Sequence, residues 1–331
     1  MPATARQLQQ FLASLEPGLA KAFSDAVESI RARSNIGALE SAIQALDYEA
    51  AFYAAGIRDY SWVYLTEGVR DAYLKAGAFT VAADVPARFG LDFNIDNPRA
   101  RDWLASHSSN LVVEINAGQR DAIRQVITSG FELGNNPRTT ALDIVGRVSK
   151  QTGRRSGGVI GLHEQFSDAV INARKDLKEL NSNYFNRVRR DKRFDKAVRE
   201  SFASGKPLSK EMIERISNSY ENRLLQTRAT NVARTESLSA MNSAADEALR
   251  QVVDEGLAEA DAIEKIWDSS GKSKSRDSHR AANGQKVKLG DPFIVNGYPM
   301  MHPGDRNAPV SEIANCACVI RHKISFEKTM L

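Results

Sequence analysis

Cysteine is nearly absent, with only Cys316 and Cys318 in 331 residues. Two are far too few for a disulfide framework, and a reducing compartment would keep both as thiols. A bond between them would be strained, because an extended chain sets residues i and i+2 about 6.6 Å apart. Long apolar runs are missing too: no stretch approaches the roughly 18 residues needed to cross a bilayer. Met1 to Gly18 lacks a basic start, a continuous apolar stretch and a small-residue cleavage site, so no secretory signal is expected. There is no internal repeat and no long low-complexity tract. The expected setting is a cytoplasm, or something assembled there, with no membrane-spanning segment.

What is present suits a soluble globular protein. Aliphatic and aromatic residues make up 42% of the chain and charged residues 26%, enough to bury a core without staples. The length fits about two domains of roughly 100–200 residues. A net charge of +4 conceals a gradient. Met1 to Gly146 carries 13 Lys/Arg against 17 Asp/Glu, Arg147 to Arg234 carries 20 against 10, and Thr235 to Leu331 carries 12 against 14. The positive excess therefore sits in the middle, and such asymmetry points to a polyanionic neighbour.

Periodicity predicts helix over most of the chain. Asn35 is a candidate cap for a helix over Ile36 to Ala55, with Leu39, Ile43, Leu46 and Ala50 on one face. Asn97-Pro98 is a cap followed by proline at the first helical position. A longer pattern runs from about Asn110 to Leu133, Gly134 to Pro137 stops it, and Thr139 or Thr140 starts the next helix. Gly153 to Gly161 reads as a flexible glycine-rich turn. Beyond it, Leu162, Phe166, Ala169, Val170, Ala173, Leu177 and Leu180 form one face of an amphipathic helix. Further stripes are Ile213, Ile216, Tyr220, Leu224 and Leu238, Met241, Ala245, Ala248, Leu249, Val252, helical to about Ala260.

Composition then changes. Pro292, Pro299, Pro303 and Pro309 crowd the last part, while Ala262 to Asp268 and Cys318 to Phe326 read as strands. In the second strand, Val319, Arg321 and Lys323 are expected outward and Cys318, Ile320 and Ile324 inward. The expected fold is mainly α with a small C-terminal α+β domain, the helical N-terminal portion being elongated. The expected divisions are a helical domain at 1–146, a basic helical segment at 147–260 and the α+β domain at 261–331.

The C-terminal segment has the most specific pattern. Trp267-Asp268-Ser269 is followed by Ser275-Arg276-Asp277-Ser278-His279, Asn283-Gly284-Gln285, Pro292-Phe293, Pro303-Gly304-Asp305 and Glu312-Ile313-Ala314-Asn315-Cys316-Ala317-Cys318. Upstream stand Ala141 to Gly146, the Gly153–Gly161 connector, Arg190 to Asp195 and Ala233-Arg234-Thr235-Glu236. This order resembles the Mu F-like domain of the phage head morphogenesis family across roughly the last two hundred residues. Ala317 departs from that family's Asn-Cys-Arg-Cys ending. The resemblance implies a minor capsid protein of a tailed-phage head, near the portal vertex or inner capsid. Its expected partners are portal protein, major capsid protein or scaffold, and phage DNA bound without sequence preference. No enzymatic activity is implied.

Two sets of residues carry candidate chemistry. Arg187, Arg189, Arg190, Lys192, Arg193, Lys196 and Arg199 lie within 13 residues, interleaved with Tyr184, Phe185 and Phe194. Such density suits salt-sensitive binding to DNA, or a solvated surface whose charges pair with Asp191, Asp195 and Glu200. His279, His302, Cys316 and Cys318 could complete a tetrahedral zinc site; the other reading pairs His279 with Asp277 or Asp305. Enzymatic readings are weaker. Gly271-Lys272-Ser273 lacks the first glycine of a phosphate-binding loop, where Ile266 stands. His279, Asn283 and His302 could serve a virion-delivered metal-dependent nuclease, the principal alternative, although their spacing fits no nuclease pattern. A general DNA-binding protein unconnected with capsids is a further alternative. Trp267 is expected in the core, Pro303-Gly304 in a type II turn, and Arg234 and Glu236 in ion pairs between the helices and the terminal domain.

Overall fold

A computed structural model describes residues 2–149, 152–269 and 275–326. Gly271-Lys272-Ser273 lies outside these. The architecture is mainly α with a small α+β part, as expected. In chain order the elements are α1 (Ala5–Arg33), α2 (Ile36–Gln44), α3 (Tyr48–Ala54), α4 (Val63–Asp84), α5 (Pro98–Glu132), α6 (Pro137–Val145), β1 (Arg147–Val148), β2 (Arg155–Ser156), α7 (Glu164–Lys178), α8 (Asp195–Ser204) and α9 (Lys210–Asp254). Then follow β3 (Ile263–Asp268), α10 (Asp277–Ala281), β4 (Lys286–Lys288), β5 (Phe293–Val295), β6 (Tyr298–Met300), α11 (Val310–Ile313) and β7 (Val319–Ile324).

Local chemistry sets several boundaries. The Asn35 carboxamide oxygen accepts from the Ala38 amide at 3.0 Å, capping α2 as expected. The helix does not run on to Ala55. Leu46 turns left-handed at φ +53°, and Asp47 then accepts from the Ala50 amide at 2.9 Å to start α3. Pro98 opens α5, which continues unbroken through the stretch where a separate start near Asn110 was expected. Asn136, rather than Thr139 or Thr140, caps α6, with Pro137 at its first position.

The chain forms two compact units, neither continuous in sequence: residues 1–22, 65–108 and 230–331, and residues 23–64 and 109–229. In the first, Val81, Val85, Ala248, Leu249, Val252, Ile263 and Leu289 form a buried cluster, with Phe89, Phe93 and Phe326 packed against it. The strands β4, β3 and β7 make an antiparallel sheet in that order, with Trp267 opposite Ile320. Side chains of β3 alternate, so Ile263, Lys265 and Trp267 are buried. In β7 the expectation for Val319 is corrected: it is fully buried, as is the adjacent Ile320. Packing on both faces at that end of the strand overrides simple alternation.

In the second unit, Leu177, Tyr184, Val198, Ile213 and Ile216 form a core backed by Phe185, Phe194 and Phe202. The glycine-rich connector belongs here and is not a loose turn. Gly157, Gly158 and Gly161 have φ of +77°, +74° and +89°, a region that favours glycine. Their amides donate to Asn222 Oδ1 at 3.1 Å, Glu221 Oε2 at 2.6 Å and Gln119 Oε1 at 2.8 Å. Those partners lie 42 to 65 residues away along the chain, so sequence pattern gave no sign of them.

Candidate metal centre

The helix α10 presents His279, and the chain after α11 presents both thiols. Asn315, left-handed at φ +54°, turns the chain so that Cys316 and Cys318 reach the imidazole on the way into β7. His279 Nδ1 lies 3.3 Å from each sulfur. The donor atoms of all three residues fall within 4.8 Å of one another, and all three are buried. Zinc–nitrogen and zinc–sulfur bonds of about 2.05 and 2.3 Å at a tetrahedral angle place nitrogen and sulfur about 3.5 Å apart. The observed spacing therefore needs only a slight expansion to admit an ion. Two soft sulfurs and an imidazole are also the donors that zinc prefers over hard cations.

The other face of the imidazole is held. His279 Nε2 lies 3.1 Å from Glu312 Oε2, and that carboxylate also accepts from Ser278 Oγ and Asn296 Nδ2, each at 2.9 Å. A carboxylate on Nε2 fixes the proton there and leaves the Nδ1 lone pair aimed at the sulfurs, the arrangement found behind metal-bound histidines. Trp267 meets the imidazole edge-on at 5.6 Å and Phe293 at 5.3 Å, closing the site with rings. Trp267 is core, as expected.

Charge is unevenly shared among the donors. A hydrogen bond from Cys318 holds the Cys316 thiol well below its ordinary value, burial opposing and His279 assisting. The same hydrogen bond and burial push the Cys318 thiol up. Burial opposes charge on His279, but Cys316 outweighs it, and its pKa is raised. Burial likewise opposes charge on Glu312, yet Ser278 and Asn296 hold it below the usual carboxylate range. These shifts favour charge on Cys316 and on His279, and the donor set is compatible with a metal ion.

His302 is not part of this group. Its Nδ1 faces the carbonyl of Pro303 at 3.1 Å, and neither Asp277 nor Asp305 is the partner of His279. Asn283 spends its carboxamide oxygen on the amide and hydroxyl of Ser269, at 2.9 and 3.1 Å. The three residues considered for a nuclease therefore have separate tasks. Glu312 was not singled out as a site residue in the sequence, although it opens the Glu312-to-Cys318 stretch on which the resemblance rests.

These elements are joined to α9 by a buried polar chain. His107 Nε2 lies 2.6 Å from Glu236 Oε2, and Arg306 donates to Glu236 Oε1 at 3.3 Å. Arg234 pairs with Glu16 at 3.4 Å. Nearby, Asn242 and Ser239 donate to the carbonyls of Pro303 and Gly304, at 3.0 Å each, and Gly304 has φ +82°.

Residues 192–320 match the family model described as Phage Mu protein F like protein. The C-terminal part of this chain is Mu F-like. The match covers less than half of the chain and supports the phage head morphogenesis family. No curated protein and no solved structure gives a match. The Mu F-like stretch contains His279, Glu312, Cys316 and Cys318, so the cluster lies inside the family region.

The basic residues fall at and just before its start. Arg187 pairs with Asp176 at 2.6 Å, Arg190 with Asp195 at 2.8 Å and Arg193 with Asp191 at 2.6 Å. Lys196 stands 4.0 Å from Glu200. Arg189 lies over the Phe166 ring and Arg199 over Phe185, at 5.9 and 4.4 Å. Lys192 makes no ion pair among the described residues. Tyr184 is buried and Phe185 and Phe194 pack beside it, so these rings are committed to the core rather than displayed for stacking.

Proposed function

We propose that this protein is a minor, non-enzymatic head protein of a tailed phage. It acts in head morphogenesis by docking to the portal vertex or inner capsid surface, and it resides in the virion after assembly in the host cytoplasm. The observation that carries the reading is the Mu F-like stretch at residues 192–320. The burial of the His279, Cys316 and Cys318 donors supports it, because a reaction centre needs a route for substrate and these atoms have almost no exposure. In this reading the cluster holds zinc as a clip for a turn-rich region. Contact with packaged DNA would fall to Arg189, Lys192, Lys196 and Arg199, since the remaining arginines of the basic set are held by carboxylates at short range.

The deciding experiment compares the protein content of proheads, filled particles and particles after DNA release. Presence in proheads is expected. Absence from both proheads and mature particles refutes the assignment, and DNA cleavage with added magnesium or manganese that is lost in His279→Ala would support the nuclease instead.

A further inference from the structure

A cleft of about 540 Å³ opens in the second unit, between the end of α5, α6, α7 and the start of α9. Its volume is in the range of about 300–1,000 Å³ typical of ligand sites. Val126, Val159, Val170 and Ile213 are buried residues of its aliphatic lining. Lys175, Lys178 and Lys210, all exposed, also line it, and none of the three makes an ion pair among the described residues. The other cations there, Arg147 and Arg174, are already neutralised by Asp143, Glu214 and Glu221. Two lining groups are buried without a hydrogen-bond partner: the Ser217 hydroxyl, on a side chain 1% exposed, and Arg174 Nε. Leu133, also lining the cleft, is 56% exposed, and Phe131, two residues before it, is 71% exposed.

We infer that this cleft is a docking site for an acidic amphipathic segment of a partner protein, its aliphatic side chains entering the cleft and its carboxylates meeting Lys175, Lys178 and Lys210. The unpaired lysines supply the charge complementarity. The unpartnered Ser217 hydroxyl and Arg174 Nε mark polar positions that a bound chain can satisfy. Nucleic acid fits less well, because no aromatic side chain lines the cleft and unstacked bases are held by aromatic stacking. The inference does not depend on the head-assembly reading.

The test uses the full-length protein and two fluorescein-labelled peptides with leucine at helical spacing, one carrying glutamates on the opposite face and one carrying lysines there. The acidic peptide should bind saturably and the basic one should not. Lys175→Glu/Lys178→Glu, at exposed positions that leave the fold intact by circular dichroism, should weaken the acidic peptide about tenfold or more and create affinity for the basic one. Lys75→Glu/Lys323→Glu, exposed and outside the cleft, should change neither. The proposal is overturned by no saturable binding of the acidic peptide, by binding that survives reversal of the cleft lysines, or by equal loss in both double variants.

Discussion

If the cluster holds zinc as proposed, stripping it should loosen the Mu F-like region by an amount whose order chain geometry sets. His279 and Cys316 are 37 positions apart, and cross-linking a loop of that length removes about 4 kcal/mol of freedom from the unfolded chain. Bond formation between ion and donors adds to this; the contacts of His279 Nδ1 with both sulfurs that remain without metal subtract from it. For a body of about 150–250 residues, each kcal/mol moves Tm by about 2–4 °C, so the expected fall is roughly 10 °C.

The assay is calorimetric unfolding of protein purified without chelator, before and after chelation, with zinc then restored. Elemental analysis should give one zinc per chain, and cobalt substitution should give thiolate-to-metal charge-transfer absorption. Cys316→Ser should already melt at the lower temperature and ignore the chelator. Protein with no stoichiometric metal, or with the same Tm at every stage, refutes the reasoning.

Four other outcomes are expected. Glu312→Gln should keep the fold but weaken metal binding by about 10–100-fold in competition with a chelating dye, because the imidazole loses the charge that orients it. Glu236→Ala leaves His107 and Arg306 without their shared carboxylate in a buried setting, and should cost about 3–5 kcal/mol in denaturant unfolding. Burial, then Arg228, lowers the His163 pKa to about 4; the unfolded chain binds its proton more readily, so stability is full above about pH 6.5 and declines as the pH falls towards about 4. His163→Gln should flatten that part of a Tm–pH profile. Binding to random duplex DNA should weaken steeply between low and moderate salt, and Lys192→Glu/Arg199→Glu should reduce it; no binding at low salt would remove DNA from the function.

How much of this could be read from the sequence depended on distance along the chain. The Asn35 cap, the Pro98 start and the β3 strand each rest on neighbouring residues and were legible. The left-handed Leu46 was not, since leucine gives no local signal for positive φ. His279, Cys316 and Cys318 were legible by donor type, whereas the separation of His302 from them and the placing of Glu312 behind the imidazole depend on how the chain folds back on α10, which no spacing rule encodes. The basic segment shows the same limit: Asp191, Asp195 and Glu200 were visible as local partners, but Asp176, which holds Arg187, sits in α7.

These long-range partners bear on the choice between binding and catalysis. A catalytic zinc has three protein donors and a position open to water or substrate, whereas a structural zinc is enclosed by four. The described residues supply three donors, so it is their burial, not their number, that speaks for a structural role. Here His279, Cys316 and Cys318 are 1%, 3% and 2% exposed, Trp267 meets the imidazole edge-on with Phe293 packed against the indole, and Glu312 is already engaged by Ser278 and Asn296. A carboxylate with those commitments is poorly placed to move protons for a reaction and well placed to hold a ring still. The polar chain His107–Glu236–Arg306 then ties the loop after β6 to α9. Both arrangements invest buried polar groups in rigidity, which favours a surface held in shape for a partner over a site that must admit and release a substrate.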